Sequence, residues 1–593
     1  MKLFLAATLL LHISCLCVSA ELSISRAFYR DSNASLHLFL VNQGAESVSL
    51  MPPVVNGTDC SSLGRDGANV GDVLWYRCRP NPISPGEIAD LTITLAAPTD
   101  KPVTVELAGS SGDRLRRTIR CGPEHVRFQA VRFSADLRTV DVYVRCDDLA
   151  LRRIRMDGKD VRRLCRPWPA ESFNGIAFTR MALTEPLAAN SFHVFDVETQ
   201  DGSSTACQVR AIPAEFLIGV YGVPSAPNLA DWVAHGIDHH LSFGAVNADT
   251  LDLCAEQDVS VGSKYIAEPL VNRDSGNVPI FDEEVARASF AAVSGKPSLL
   301  YHHLVDEPDV ADYYAGRKLG ATAMELASRA EFCEVTDPGR YTFVQLDNTF
   351  RPDNYRVYGE SADVLATHRY SLGNYLRSEA GESSVKRLPF LEDMVETLDR
   401  FRAATEPRPF FVVPQFFNLG PARSGRAPTI EEMRLQCYLM IARGASGVIH
   451  YIHSGSTGGG EGARTPALWD AMTGLHAELK RVGGFIASGT PSPPESVTCD
   501  SPNVLASGLL CGDRMALVLI NLSHRSALDR FTVIPNRGIG IRIAVPPWMD
   551  ASALEVVPAE GGAPLVVARD RVGLSFTVEE VAVARCLFVR SRE

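Results

Sequence analysis

Apolar and polar positions change rhythm three times along the chain. From Glu21 to about Ala211 they alternate, as in Ser35-Leu-His-Leu-Phe-Leu-Val, Leu91-Thr-Ile-Thr-Leu and Val140-Asp-Val-Tyr-Val, with Gly and Pro between the runs. A period of two puts successive side chains on opposite faces, which predicts half-buried strands. Cys121-Gly-Pro marks a joint. The stretch therefore reads as two β-sandwiches, 21–121 and 122–211. From Glu215 short continuous apolar runs alternate with helical segments. Strands are expected at 216–221, 237–243, 259–265, 298–305, 340–346, 362–368, 410–416 and 446–452. Helices are expected at 228–236, 248–257, 282–294, 312–333, near Pro352, and at 392–405, 429–443 and 466–486. Parallel strands buried on both faces read as unbroken apolar runs. Eight such units in about 270 residues fit a (β/α)8 barrel. Alternation returns over 490–593. The expected fold is multidomain: a central (β/α)8 TIM barrel, 212–489, flanked by N-terminal and C-terminal all-β sandwich domains.

The rival α/β architecture, a doubly wound open sheet, lacks support. Tyr221-Gly-Val-Pro-Ser after the first barrel strand is not a Gly-rich phosphate loop, and the Gly458-Gly-Gly cluster lacks the Lys-Ser/Thr of a P-loop. Charge narrows the partners. The 593 residues carry 58 Lys and Arg against 70 Asp and Glu, a net charge of −12, which argues against a nucleic-acid binder. No later segment reaches the ~18 apolar residues of a membrane span.

The first 20 residues, MKLFLAATLLLHISCLCVSA, have a basic start, an apolar middle and small residues at Val18-Ser-Ala20. They read as a secretory signal peptide, so a secreted protein, or one of the secretory–lysosomal pathway, is expected. Asn33-Ala-Ser, Asn56-Gly-Thr and Asn521-Leu-Ser are sequons that would make it a glycoprotein. Twelve of the 14 cysteines follow the signal. Local spacing suggests the pairs Cys60–Cys78, Cys146–Cys165 and Cys499–Cys511, although spacing alone does not fix pairing. No cysteine spacing matches a structural zinc site.

In such barrels the chemistry sits at the C-terminal ends of the strands. There the sequence offers Tyr221; His239, His240, Phe243 and Asn247; Lys264, Tyr265 and Glu268; His303, Asp306 and Glu307; Gln345, Asp347 and Asn348; His368, Arg369 and Tyr370; Gln415 and Asn418; and His450, Tyr451 and His453. Asp306-Glu307-Pro308 is the most informative, because Pro ends the strand and leaves two carboxyls at the mouth. One can serve as general acid if it faces apolar walls. Alternatively the pair caps the following helix. The histidines raise a third class, a metal hydrolase, with His239, His240, His302, His303, His368, His450 and His453 on or beside strands. Adjacent residues on a strand face opposite ways, so at most one of each neighbouring pair points inward. No His-x-His opens the first strand, and no metal or cofactor is expected. Tyr221, Phe243, Tyr265, Tyr370, Tyr451 and Trp469 are candidate platforms for sugar rings.

Tyr301-His-His-Leu-Val-Asp-Glu-Pro-Asp resembles the strand-4 motif of the large retaining clan of TIM-barrel glycoside hydrolases, in which Asn-Glu-Pro carries the acid/base. Asp337-Pro-Gly-Arg, Ala362-Asp-Val-Leu-Ala-Thr-His-Arg-Tyr and the passage from Arg434 to Tyr451 resemble later parts of that barrel in the same order. The resemblance covers about 215–490. It implies Glu307 as acid/base and Asp306 as the residue contacting the sugar hydroxyl next to the reacting carbon. It further implies a carbohydrate or glycoconjugate substrate, held by Asp306, His368, Tyr370, Gln415, Tyr221, Tyr265 and Tyr451. One departure matters: the clan's nucleophile Glu at the end of strand 7 is replaced by Gln415, and an amide cannot form a glycosyl-enzyme. Asp347 then becomes the candidate second carboxylate, with Glu268 or Glu461 on loops as alternatives. The expected activity is acid-assisted cleavage of a glycosidic bond. The alternatives are a catalytically inactive glycan-binding or adhesion protein on the same barrel, and the metal-dependent hydrolase.

Overall fold

The computed structural model describes residues 22–63, 69–147, 149–242, 246–263, 271–273, 279–280, 283–309, 322–347, 354–379, 389–417, 426–451, 465–571 and 573–592. The signal segment, Phe243, Lys264, Tyr265, Glu268, Asn348, Asn418, His453, the Gly458 cluster and Glu461 lie outside them. The chain divides into two compact units at Glu124/His125. The first is a sandwich. One sheet pairs Leu22–Arg30, Ser35–Asn42, Ile88–Leu95 and Val73–Arg79 in that order; the other pairs Thr58–Asp59, Val54–Val55, Val103–Ala108 and Arg114–Ile119. Alternating Val103, Val105 and Leu107 are buried, as a period of two requires.

The second unit opens with another two-sheet sandwich. Its sheets centre on the antiparallel pairs Thr139–Arg145 with Ile176–Ala182, and Phe192–Thr199 with Ser204–Arg210. Next comes a closed parallel barrel: β1 (Leu217–Gly222), β2 (His239–Ser242), β3 (Ser260–Ser263), β4 (Leu299–Asp306), β5 (Tyr341–Leu346), β6 (Val364–Thr367), β7 (Phe410–Val412) and β8 (Gly447–His450). It closes where Leu217 pairs with Gly447. Among the described residues the helices are α1 (Ala226–Ala234), α2 (Ala248–Ala255), α3 (Glu283–Val293), α4 (Ala323–Thr336), α5 (Asn354–Tyr358), α6 (Ser371–Glu379), α7 (Phe390–Thr405), α8 (Ile430–Ala442) and α9 (Pro466–Ile486). Helix α6 was not anticipated from the sequence. A C-terminal sandwich of five-stranded and four-stranded sheets completes the unit. It shares a core with the preceding sandwich, where Phe173 and Phe178 pack against Trp548.

The barrel is filled by inward side chains, among them Leu217, Leu241, Tyr301, Phe343, Phe411 and Ile449. Tyr301 stacks on Phe343 at 4.6 Å between centroids. The ring lies so close to β3 that a Cβ on Gly262 would sit 2.2 Å from it, which explains glycine there. Strand β7 is shorter than its apolar run because Pro414 has no N–H to give the ladder. The chain rejoins β8 only through a bridge between Gln415 and Tyr451.

Several sequence expectations are corrected. None of the three cysteine pairs is bonded: all twelve cysteines keep their thiols. Cys60, Cys78, Cys146 and Cys165 each turn Sγ toward a carbonyl two to four residues away in the chain, on Thr58, Pro80, Leu149 and Val161. Two sequons are closed. Asn33 is 1% exposed and Asn521 0%. The Asn521 amide nitrogen, where a glycan would attach, donates to the carbonyls of Ile534, Val581 and Ala582. Asn56, in a turn, is exposed. No helix of the described residues is long and apolar enough to cross a membrane.

Candidate active site

The mouth is built where β4, β5 and β6 end. Inward alternation from Tyr301 and His303 would turn Asp306 outward. The β4–β5 register slips between His303 and Asp306, and Glu307 takes φ +50°. A glutamate in the left-handed region is a strained backbone position, held here by its N–H donating to the Gln345 carbonyl at 3.0 Å. The kink delivers the Glu307 carboxylate to His368, with Oε1 3.0 Å from Nε2. The same Nε2 lies 3.6 Å from Asp347 Oδ1. The two carboxylate oxygens that share this nitrogen are therefore no more than about 6.6 Å apart, a limit that admits the ~5–5.5 Å of a retaining pair as well as the shortest inverting spacing.

Electrostatics follow from that arrangement. Burial opposes charge on His368, but the Glu307 hydrogen bond and the charges of Glu307, Asp347 and Asp306 outweigh it, and its pKa is pushed up to about 9. The ring is thus an imidazolium at neutral pH, clamped between two carboxylates. Its Nδ1 is 3.0 Å from the Gln345 amide nitrogen, and the amide oxygen accepts from the Tyr221 hydroxyl. That orientation suits a neutral ring. An imidazolium needs an acceptor at Nδ1, which the same amide supplies by turning through 180°. Asp347 is fixed from behind, its backbone N–H donating to Asp309 Oδ1 at 3.1 Å. Asp309 is buried; the segment in which a helix capped by Asp306 and Glu307 was expected, 310–321, lies outside the described residues, and α4 opens at Ala323 with Thr322 as its cap. Arg369 points away, in a bidentate pair with Asp393 at 2.7 and 2.8 Å.

An aromatic wall adjoins the carboxylates. Tyr370, Phe417 and Tyr451 are partly exposed, with ring centroids 4.7 to 5.9 Å apart. Phe417 was not anticipated, because the sequence put it beyond a strand end rather than on a turn back over the mouth. Tyr221 is 1% exposed and lies beneath Tyr451 as floor rather than platform. Burial raises the pKa of Tyr221 and Tyr370, so both remain neutral phenols. Asp306 is half-buried, and its charge acts on Tyr221, Tyr370 and His368. Gln415 is buried and bonded at both amide atoms: its Oε1 accepts from Gly373 N–H at 2.9 Å and its Nε2 donates to Phe417 O at 3.1 Å. It is a brace for the wall and not a sugar contact.

Trp469 is no platform either. It lies on α9 in the outer layer, stacked on His235 and bonded to Asp231. The remaining histidines do not converge. His239 faces the barrel interior, satisfied by Ser260 and Tyr301, with a pKa lowered to about 3 by burial. His240 stacks on Trp232 of α1, His302 pairs with Asp337, and His450 bonds His476 of α9. Among the described residues no three His, Cys, Asp or Glu side chains are grouped to hold a metal.

No family model matches the chain, and no curated protein is similar to it in sequence. Solved structures of similar fold exist. A cycloisomaltooligosaccharide glucanotransferase from a Paenibacillus species, complexed with cycloisomaltoheptaose, has 9% identity over 78% of this chain and 99% of its own, with a TM-score of 0.42. A family 5 glycoside hydrolase from Bacteroides vulgatus has 13% identity over 67% and 91%, TM-score 0.42. An α-L-fucosidase from Paenibacillus thiaminolyticus has 8% identity over 64% and 100%, TM-score 0.42. These are likenesses of fold at low identity.

Proposed function

We propose that this chain is an exported glycoside hydrolase in which Glu307 protonates the glycosidic oxygen and Asp347 activates water for direct displacement at the sugar carbon. The observation that carries the reading is the single His368 nitrogen in contact with both carboxylates. It supports a closed proton circuit. The His368 Nε2 proton passes to Glu307, which hands it to the leaving oxygen as the C–O bond breaks. Asp347 takes a proton from the attacking water as the new C–O bond forms. Asp347 then returns that proton to His368. One glycosidic bond and one water become two hydroxyls, and the site regains its starting charge. Tyr370, Phe417 and Tyr451 offer ring faces to the sugar, and Asp306 accepts from a hydroxyl. Gln415 in the place of a carboxylate favours inversion over a glycosyl-enzyme.

The test uses aryl glycosides of graded leaving-group acidity. Glu307→Gln is expected to lose on the order of 10²–10⁴ in kcat/KM with phenyl leaving groups and far less with dinitrophenyl ones. Equal losses with both would remove Glu307 as the acid. A second reading, glycan binding without cleavage, is favoured by the same Gln415, which leaves β7 without a nucleophile. It predicts saturable glycan binding by wild type with no sugar released from any substrate of the series.

A further inference from the structure

The end of the barrel opposite the carboxylates holds a second feature, independent of the reading above. Between the N-terminal ends of the strands and the preceding sandwich lies a cavity of about 160 Å³, far more than one water needs. Its walls are largely apolar, with Val131, Phe133 and Val209 from the sandwich facing Leu217, Leu300 and Phe411 of the barrel. Two buried guanidiniums also line it. Arg132 is 7% exposed and donates through Nη1 only to the carbonyls of Val131 and Pro407, while its Nε meets no acceptor. The carboxylate whose charge reaches it, Glu406, is already engaged by Arg402 and Arg127. Arg210 is 4% exposed. It pairs with Asp363 at 3.1 Å and bonds two carbonyls, but its Nη2 is 4.0 Å from Glu334 and makes no hydrogen bond. Burial lowers the Arg132 pKa to about 10, which still leaves it charged at neutral pH.

A buried cation without its own anion is costly unless something pairs with it. We infer that this cavity is a binding site for a small organic monocarboxylate, its apolar body against the Val, Leu and Phe walls and its carboxylate between Arg132 and Arg210. A neutral molecule of the same shape would leave Arg132 without a counter-anion and the Arg210 Nη2 without an acceptor, so the site discriminates by charge.

Isothermal titration of the full chain with benzoate and octanoate, and with the matched amides benzamide and octanamide, tests this. One carboxylate is expected to bind saturably at one site and at least tenfold tighter than its amide, a difference of about 1.4 kcal/mol. Ala189→Trp, a substitution at an exposed rim position, should abolish binding without disturbing the fold. Arg132→Gln, where it folds, should erase the preference for the acid over the amide. Three results would overturn the assignment: no saturable binding of either acid, equal binding of acid and amide, or binding unchanged in Ala189→Trp.

Discussion

The imidazolium of His368 is a quantity that can be measured directly. Its pKa stands about 2.5 above the ordinary 6.5, raised to about 9 although burial alone would lower it. At ~1.4 kcal/mol per unit the excess is worth about 3 kcal/mol, and the full attraction is larger because it also offsets desolvation. Glu307 supplies the leading favourable interaction, through a 3.0 Å hydrogen bond, but its side chain is 37% exposed and solvent screens part of that attraction. Replacing it by Gln removes the charge and keeps the shape. Asp347 at 3.6 Å and Asp306 then remain against full desolvation. Glu307→Gln should therefore bring the His368 pKa down by two units or more, to near or below 6.5. Histidine-labelled NMR reads the titration of the ring carbons, with His368→Asn identifying the signal. The linkage has a definite sign. A pKa raised on folding adds stability that is whole below pH 6.5 and fades as pH climbs to about 9. Wild type should accordingly lose stability across that window, and Glu307→Gln should not. A wild-type ring titrating near 6.5, or one indifferent to Glu307→Gln, would refute the shared-proton geometry.

Other consequences are open to simpler assays. Burial lowers the pKa of His240 and His476 to about 4, that of His239 to about 3 and that of His450 well below 6.5. The unfolded chain takes up these protons first, so stability should fall from pH 6.5 downward, by about 2 kcal/mol per histidine at pH 5 in urea melts. Equal urea midpoints at pH 7 and 5 would count against it. Gln415→Glu should not create a retaining enzyme: its carboxylate would face the Phe417 carbonyl in a buried site, so we expect ~2 kcal/mol or more of destabilisation and no covalent glycosyl-enzyme by mass spectrometry. Gly262→Ala should cost about 3 kcal/mol or prevent folding, because the Tyr301 ring fills the methyl's place. A Tm within 2 °C of wild type would contradict that packing.

Alternation and apolar runs made the sandwiches and all eight barrel strands readable, because both patterns are direct records of which faces are buried. Strand ends were less readable where backbone chemistry overruled hydrophobicity: Pro414 stops β7 inside an apolar run. The same limit explains the site. Asp306 and Glu307 could be found by type and position, but their directions depend on a register slip and a positive φ, and neither leaves a mark in the polar pattern. Gln345 was visible at a strand end, yet its part in the chain from Tyr221 to His368 is made across the barrel between residues 124 apart. Cysteine pairing failed for a related reason. Short spacing measures chain distance, while each thiol is turned by its own backbone toward a nearby carbonyl.

The buried histidines bear on where such a site can work. His476 uses Nδ1–H on the His235 carbonyl at 2.7 Å, so its Nε2 must accept the Nε2–H of His450 at 3.0 Å. A proton added to His476 Nε2 would put two N–H groups face to face, and one added to His450 Nδ1 would lie buried without an acceptor. His239, wedged between Ser260 and Tyr301 inside the barrel, resists protonation equally. His368 asks for the opposite: it keeps its proton up to about pH 9. The overlap of these demands is a window from near neutrality to mildly alkaline, in which the packing histidines are bare and the site histidine is charged. Acidic pH would tax the barrel while leaving the His368 ring charged. Stability and activity should therefore coincide from near neutrality to mildly alkaline pH, and an enzyme most stable at about pH 5 would contradict the burial of these histidines.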